Sequence, residues 1–312
     1  MNAFYADHFV LPLPQGHRFP MAKYRMLRDQ LVAQLPGVRL QEAPAARSQE
    51  LGLAHGQDYI EAVALGTLSP AIQREIGFPW SPSMAERARR SVGATLAAGR
   101  LVMREGGVAG NLAGGTHHAY ADRGSGFCVF NDIAVTARQL QTEWPGRGGR
   151  LLQVAVIDLD VHQGNGTAHI FRDDPSVYTL SLHGARNFPF RKEASDCDVE
   201  LPDGCRDDAY LEALSLALEL LEQRFEPDLV LYLAGADPHE GDRLGRLALT
   251  HDGLEARDRQ VFDWAWQRRV PLVFTMAGGY GRNLDDTLHA QLNTWRVACQ
   301  YHERWARAGA TR

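Results

Sequence analysis

At 312 residues, 45% hydrophobic and 23% charged, the chain has the composition of an ordinary globular protein. A formal net charge of −5 argues against a protein built around nucleic acid, and no window reaches the ~18–20 unbroken apolar residues that would span a bilayer. Cys128, Cys197, Cys205 and Cys299 show neither C-x-x-C spacing nor disulfide-scaffold density, and the N-terminus has no signal-peptide pattern, so a cytoplasmic protein with free thiols is expected.

Along the chain, the first clear helical pattern is 83–105, with Met84, Ala88, Val92, Leu96 and Met103 near a 3.6 period. A β-branched run follows at 108–112. The next, 151–158, carries Val154, Val156 and Ile157 and reads as a strand buried on both faces. The run 177–182 reads likewise as a strand, and 184–206 reads as one long irregular segment. Residues 207–224 put Leu211, Leu214, Leu218 and Leu221 on one stripe, with Asp207 as the expected N-cap. Strand 229–234, helix 250–268, strand 271–276 and helix 284–299 complete the pattern. Such alternation predicts an α/β fold: one domain over 1–312, a mainly parallel sheet and helices on both faces.

Ligands of such sheets bind beyond the carboxyl ends of the strands. The buried strand at 154–158 runs into Asp158-Leu-Asp160-Val-His162, spaced i, i+2, i+4, so an extended chain points all three the same way. Two carboxylates and an imidazole are costly to bury without a cation or donors. Asp160 and His162 suit a divalent metal and Asp158 a supporting role; an incidental polar strand end fits the short pattern equally well. Three more clusters end apolar runs: Gly114-Gly115-Thr116-His117-His118, Leu233-Ala-Gly-Ala-Asp237 and Ala277-Gly-Gly-Tyr280-Gly. Taken singly, each reads as a turn, a cap or a satisfied core histidine. Taken together, they make a hydrolase. Asp160, His162 and Asp237 would leave a zinc position open for water and a carbonyl. His117 and His118 would handle protons, and Tyr280 would donate to a developing oxyanion.

These stretches resemble the histone deacetylase superfamily of zinc-dependent amidohydrolases on the arginase/deacetylase fold. The resemblance rests on GGTHHAY (114–120), GFCVFND (126–132), VIDLDVHQGNGT (156–167), SLH (181–183), LAGAD (233–237) and AGGYG (277–281). HQGNG and EGDRLG (240–245) look most like class IV members and their bacterial relatives. Residue by residue, the resemblance implies Asp160, His162 and Asp237 as ligands of one catalytic Zn²⁺. It implies His118 as general base and acid, His117 as the electrostatic histidine, Asp158 as its orienting acid and Tyr280 as the carbonyl polariser. Asn165 stands where relatives place the aspartate behind the second histidine, and Gln163 where class I has a histidine. Gly126 and Phe127 match one wall of the acyl-lysine tunnel, and Phe188 is the candidate for the other. A structural K⁺ would use carbonyls of Asp158, Asp160, His162 and Leu182 with the Ser181 hydroxyl. Arg18, in GHRFPM, resembles a residue lining an internal channel and reads equally as a surface arginine.

The implied activity is hydrolysis of an acylated lysine peptide or a small N-acyl amine, with longer fatty acyl chains favoured as in class IV. Three alternatives accompany it: an acetylpolyamine or metabolite amidohydrolase, a di-manganese ureohydrolase, and a non-catalytic binder of acylated peptides. The ureohydrolase requires D-x-H-x-D, whereas Gly164 follows here. His8, His55, His169, His251, His289 and His302 show no partner in sequence, and His239 reads as a turn residue.

Overall fold

The structure, a computed structural model, describes residues 1–309. Eight strands form one sheet: β1 (Asn2–Tyr5), β2 (Arg39–Glu42), β3 (Val108–Asn111), β4 (Val154–Asp158), β5 (Val177–Gly184), β6 (Cys197–Leu201), β7 (Leu229–Leu233) and β8 (Leu272–Thr275). Their order is β2-β1-β3-β8-β7-β4-β5-β6, and every adjacent pair is parallel. In register, Val154 lies beside Val177 on one side and Leu229 on the other.

Alternation along the central strands feeds two cores. Ala155, Ile157, Val230, Tyr232, Leu272 and Phe274 face helices Asp207–Arg224, His251–Arg268 and Leu284–Gly309. Val154, Val156, Leu229, Leu231 and Val273 face helices Pro82–Glu105 and Asp132–Glu143. All five residues of β4 are buried, as a strand covered on both faces requires. Among the described residues, no helix is long and apolar enough to cross a membrane.

The helix at 82 begins as its sequence directs: Ser81 Oγ accepts from Met84 N at 3.1 Å, and Pro82 stands in the first turn. Asp207 is different. Arg206 occupies the cap position, and the Asp207 carboxylate reaches across to Thr250, accepting from its N–H (2.9 Å) and hydroxyl (2.6 Å). Asp207 thus ties two helix starts together instead of capping its own. Residues 184–206 are not wholly irregular, since β6 lies within them at the sheet edge. The last helix runs past 299 because Tyr301 and Trp305 extend its apolar stripe, Trp305 meeting Trp266 with 5.4 Å between centroids.

For function, the strand order matters most. β3, β8, β7 and β4 are consecutive neighbours. The histidine pair, the tyrosine turn, Asp237 and the Asp160/His162 segment therefore leave four adjacent strand ends.

Candidate active site

The chain leaves β4 at Asp158 and bends, so Asp160 and His162 meet through a turn and not along an extended strand. His162 Nδ1 lies 2.9 Å from Asp160 Oδ1 and 3.3 Å from Asp237 Oδ2. Backbone donors hold the carboxylates: His162 N–H to Asp160 Oδ1 (2.9 Å), Gly278 N–H to Asp160 Oδ2 (2.7 Å) and Val161 N–H to Asp237 Oδ1 (3.0 Å). Asp237 Oδ2 is buried with no hydrogen-bond partner. Among the described residues, Asp160, His162 and Asp237 form the one group whose ligand atoms lie close enough for an ion, all within 4.8 Å of one another. A Cβ on Gly278 would collide with Asp237 Oδ2 and Asp160 Oδ2, so only glycine leaves that space open.

Without an ion, the charges are frustrated. Burial alone would lower the His162 pKa, but Asp160 and Asp237 raise it to about 10. Burial and the Asp160 charge push Asp237 up to about 7. Two carboxylates of which one carries an orphaned oxygen, an imidazole and a glycine-cleared space suit a borderline-soft divalent cation such as Zn²⁺.

His117 and His118 follow a turn made by Gly114 (φ 76°) and Gly115 (φ 73°), which a Cβ would strain. The turn is clamped by Asp132, whose carboxylate accepts from Gly115 N (3.0 Å), Thr116 N (2.7 Å) and Thr95 Oγ1 (2.6 Å). His117 Nδ1–H donates to Asp158 Oδ2 at 2.6 Å, and His118 Nδ1–H donates to Asn165 Oδ1 at 2.7 Å. The two rings diverge electrostatically. Against the pull of burial, Asp158 and Asp160 raise His117 to about 9. Burial, reinforced by His117 and His162, holds His118 well below the usual histidine range. His118 is therefore a neutral imidazole with its Nε2 lone pair available.

Behind Asn165, Nδ2 donates to Tyr120 Oη (2.9 Å), which donates to Glu193 Oε1 (3.2 Å). Gln163 pins the same loop, donating to Glu193 O (2.6 Å) and Asp198 Oδ1 (2.8 Å). Tyr280 is buried, and burial beside Asp160 and Asp237 drives its pKa well above the ordinary phenol, leaving it a hydroxyl donor. Asp242 accepts from Tyr280 N at 2.6 Å. Lys23 is 0% exposed; its Nζ donates to Gly279 O (3.1 Å) and lies 5.1 Å from the Tyr280 ring centroid.

A cavity of about 720 Å³ joins these parts. Phe127 lines it, packed against Phe19 and Phe78 with 5.3 Å between centroids in each case. Phe188 lines it too, edge-on to His118 at 4.9 Å. Gly126 (φ 53°) sits where a Cβ would strike His118 and crowd Phe188. Farther along, the lining includes Leu11, Tyr24, Met84 and Ala88, and Arg18 is an exposed member of it.

The structure thus brings together Asp158, Asp160, His162, Asp237, His117, His118, Asn165 and Tyr280, with Gly126, Phe127 and Phe188 along the cavity. Sequence reading missed Asp132, Tyr120, Asp242 and Lys23. Asp132, Tyr120 and Asp242 stand inside quoted motifs, which was the available signal; Lys23 had none. Ser181 Oγ lies 2.9 Å from His183 Nδ1. His239 Nδ1 accepts from Gly241 N at 3.1 Å, a turn contact. His55 is not idle: Nδ1–H donates to Tyr120 O (3.0 Å) and Nε2 accepts from Asn131 N (2.9 Å).

Comparison with known proteins identifies the family. A family model described as the histone deacetylase domain matches residues 17–294. An uncharacterized protein of Picosynechococcus sp. is 42% identical over 296 residues, covering 94% of this chain and 97% of its own. Histone deacetylase 2 of Arabidopsis thaliana is 34% identical, covering 88% and 72%. The acetoin utilization protein AcuC of Bacillus subtilis is 36% identical over 71% of this chain and 61% of its own. The solved structure of an HDAC homolog complexed with SAHA matches with TM-score 0.79 at 25% identity, covering 96% of this chain and 84% of that one. The chain belongs to the histone deacetylase family.

Proposed function

We propose that the protein is a zinc-dependent hydrolase of N-acyl amides acting on acylated lysine, with the whole chain serving as one catalytic domain in the cytoplasm. The observation that carries this reading is the orphaned Asp237 Oδ2 beside Asp160 and His162, the latter two lining one cavity with a neutral His118 and Tyr280. Zn²⁺ held by Asp160, His162 and Asp237 would supply Lewis acidity toward the acyl carbonyl and a water of lowered pKa. His118, neutral at Nε2, takes the proton of the attacking water and returns it to the leaving amine. Asn165 holds the tautomer that makes this possible. His117, kept cationic by Asp158, sets a fixed positive charge beside it, and Tyr280 donates to the carbonyl oxygen as charge grows there. Phe127 and Phe188 flank the methylene stem of the acyl-lysine. A structural K⁺ on the carbonyls of Asp158, Asp160, His162 and Leu182 with Ser181 belongs to the same reading.

The cavity lining also includes the apolar Leu11, Tyr24, Met84 and Ala88, and the preference for acyl groups longer than acetyl rests on their contact with the chain. A di-manganese ureohydrolase is disfavoured, because Gly164 follows where a second carboxylate would be needed and a Cβ there would meet Asp158. The test is hydrolysis of an acyl-lysine peptide by the zinc-loaded protein, with metal content measured on variants. Asp237→Ala should lose the ion. Tyr280→Phe should keep it and lose about 10²–10³ in kcat, as removal of one oxyanion donor does. Metal retained by Asp237→Ala, an active Tyr280→Phe, or two tightly held manganese ions would each overturn the reading.

A further inference from the structure

The charge of the cavity mouth is opposite to that of the chain. The protein carries a net −5, yet the cavity is lined by Arg18, Arg87, Arg186, Arg243 and Arg246, with Glu75 the one acid of the lining besides the metal-site Asp160. These arginines outnumber the carboxylates that pair with them. Arg243 spends Nε on Tyr280 O (2.9 Å) and Nη2 on Arg18 O (3.2 Å), which fixes its guanidinium without neutralising it. Arg246 and Arg186 share the single carboxylate of Asp203, at 2.9 and 3.9 Å. Among the described residues the Arg18 side chain, exposed at the rim, has no ion-pair partner. Phe190 stands at the same lip, 88% exposed.

An acylated lysine is neutral at its amide, so this positive rim does nothing for the acyl group. It acts on the carrier. Three segments contribute, around residues 18, 186 and 243–246, and their contacts join them into one positive arc along the opening: Arg243 Nη2 reaches Arg18 O, and Arg246 and Arg186 share Asp203. A single small carboxylate would meet one of them; an extended chain crossing the opening would meet all three. We propose that the carrier is a protein segment in which aspartate or glutamate flanks the acylated lysine, with Phe190 offering an apolar contact at the lip. This rests on the reading of the site as an acyl-lysine hydrolase and names its substrate class. It also sets the acetylpolyamine alternative aside, because a polycationic carrier would be repelled at the same rim.

The experiment compares three peptides carrying one identical acyl-lysine with acidic, neutral or basic flanks, together with an acetylpolyamine, on the zinc-loaded protein. At low ionic strength kcat/KM should fall about tenfold from acidic to basic flanks, mostly through KM, and the polyamine should be the poorest substrate. Raising salt past 0.3 M should compress the series, since exposed charges are screened. The Arg18→Glu/Arg246→Glu double variant should invert the order, read as the ratio of kcat/KM for the acidic-flank peptide to that for the basic-flank peptide. Binding to the Tyr280→Phe protein, followed by fluorescence anisotropy, should show the same ranking without chemistry. Equal kcat/KM across the flanks, or a preferred polyamine, would overturn the inference while the hydrolase reading stands. Failure to cleave even the neutral peptide would overturn both.

Discussion

His117 and His118 have ring centroids only 4.1 Å apart, and one is cationic while the other is neutral. The difference lies in what each Nδ1 meets: a carboxylate for His117, an amide for His118. Asn165→Asp should therefore raise the pKa of His118. Because the base must be neutral to accept a proton, the acidic limb of the pH–rate profile should move to higher pH; an unmoved limb would show that Asn165 does not tune the base. His55 gives a second test, this time of stability. Burial lowers its pKa to about 4, and Nε2 accepts Asn131 N–H, so a proton there would turn an acceptor into a clashing donor. The unfolded chain then binds that proton first, and stability present above pH 6.5 is lost as pH falls toward 4. Between pH 7 and pH 5 the share of the loss due to His55 should be about 2 kcal/mol, read in urea unfolding as the difference between the parent and His55→Gln. Asp158, Asp160, His162 and Asn165 were legible because eight consecutive residues hold all four. His55, 65 residues from Tyr120 and 76 from Asn131, was not, since nothing local marks a long-range hydrogen bond.

Among the elements, helix His251–Arg268 does more than cover the sheet. Its buried Arg257 donates to Gly235 O (2.6 Å), in the LAGAD turn that delivers Asp237. The guanidinium also donates to Asp258 Oδ1 (2.8 Å), which accepts from Tyr232 Oη as well. Arg257→Leu would leave Asp258 buried without its cation, and the expected cost is about 3–5 kcal/mol in chemical denaturation. A variant as stable as the parent would show that the ion pair is dispensable. Elements were legible where burial imposed a period: 207–224 was read to the residue because its leucines keep one stripe. β2 and β6 were not, because they form the two edges of the sheet: RLQE has a single apolar residue, and CDVEL is a five-residue alternation inside a long polar stretch. Helix Lys23–Gln34 buries only one narrow line, Lys23, Tyr24, Leu27 and Leu31, and one of those is charged.

Over the whole molecule, the α/β alternation announced the fold, while the cavity was invisible in sequence because its walls come from segments far apart in the chain, around residues 11–24, 75–91, 113–130, 160–162, 186–190, 243–246 and 277–280. The glycines flanking the site serve in two ways. Gly114 and Gly115 turn the chain, whereas Gly278 keeps its volume clear. Leu11, Tyr24, Met84 and Ala88 line the same cavity, and an acyl chain lying against them would gain up to ~0.8 kcal/mol for each fully buried methylene. On one fixed carrier, kcat/KM should rise from acetyl toward octanoyl, measured below the micelle concentration. A profile highest at acetyl would show that the chain cannot enter the inner lining.

The adjacency of β3, β8, β7 and β4 has a thermodynamic consequence. The ligand atoms lie on segments that follow β4 and β7, the glycine that clears their space follows β8, and the histidine pair follows β3. No single hairpin or helix pair contains the site, so no local opening short of parting the middle of the sheet dismantles it. An ion bound there has affinity for the assembled sheet and little for the separated strands, and its binding free energy adds to the cooperativity of global unfolding. Withdrawing the ion would loosen the molecule from its centre, where two crowded carboxylates are left facing each other, while the edges keep the stability they had.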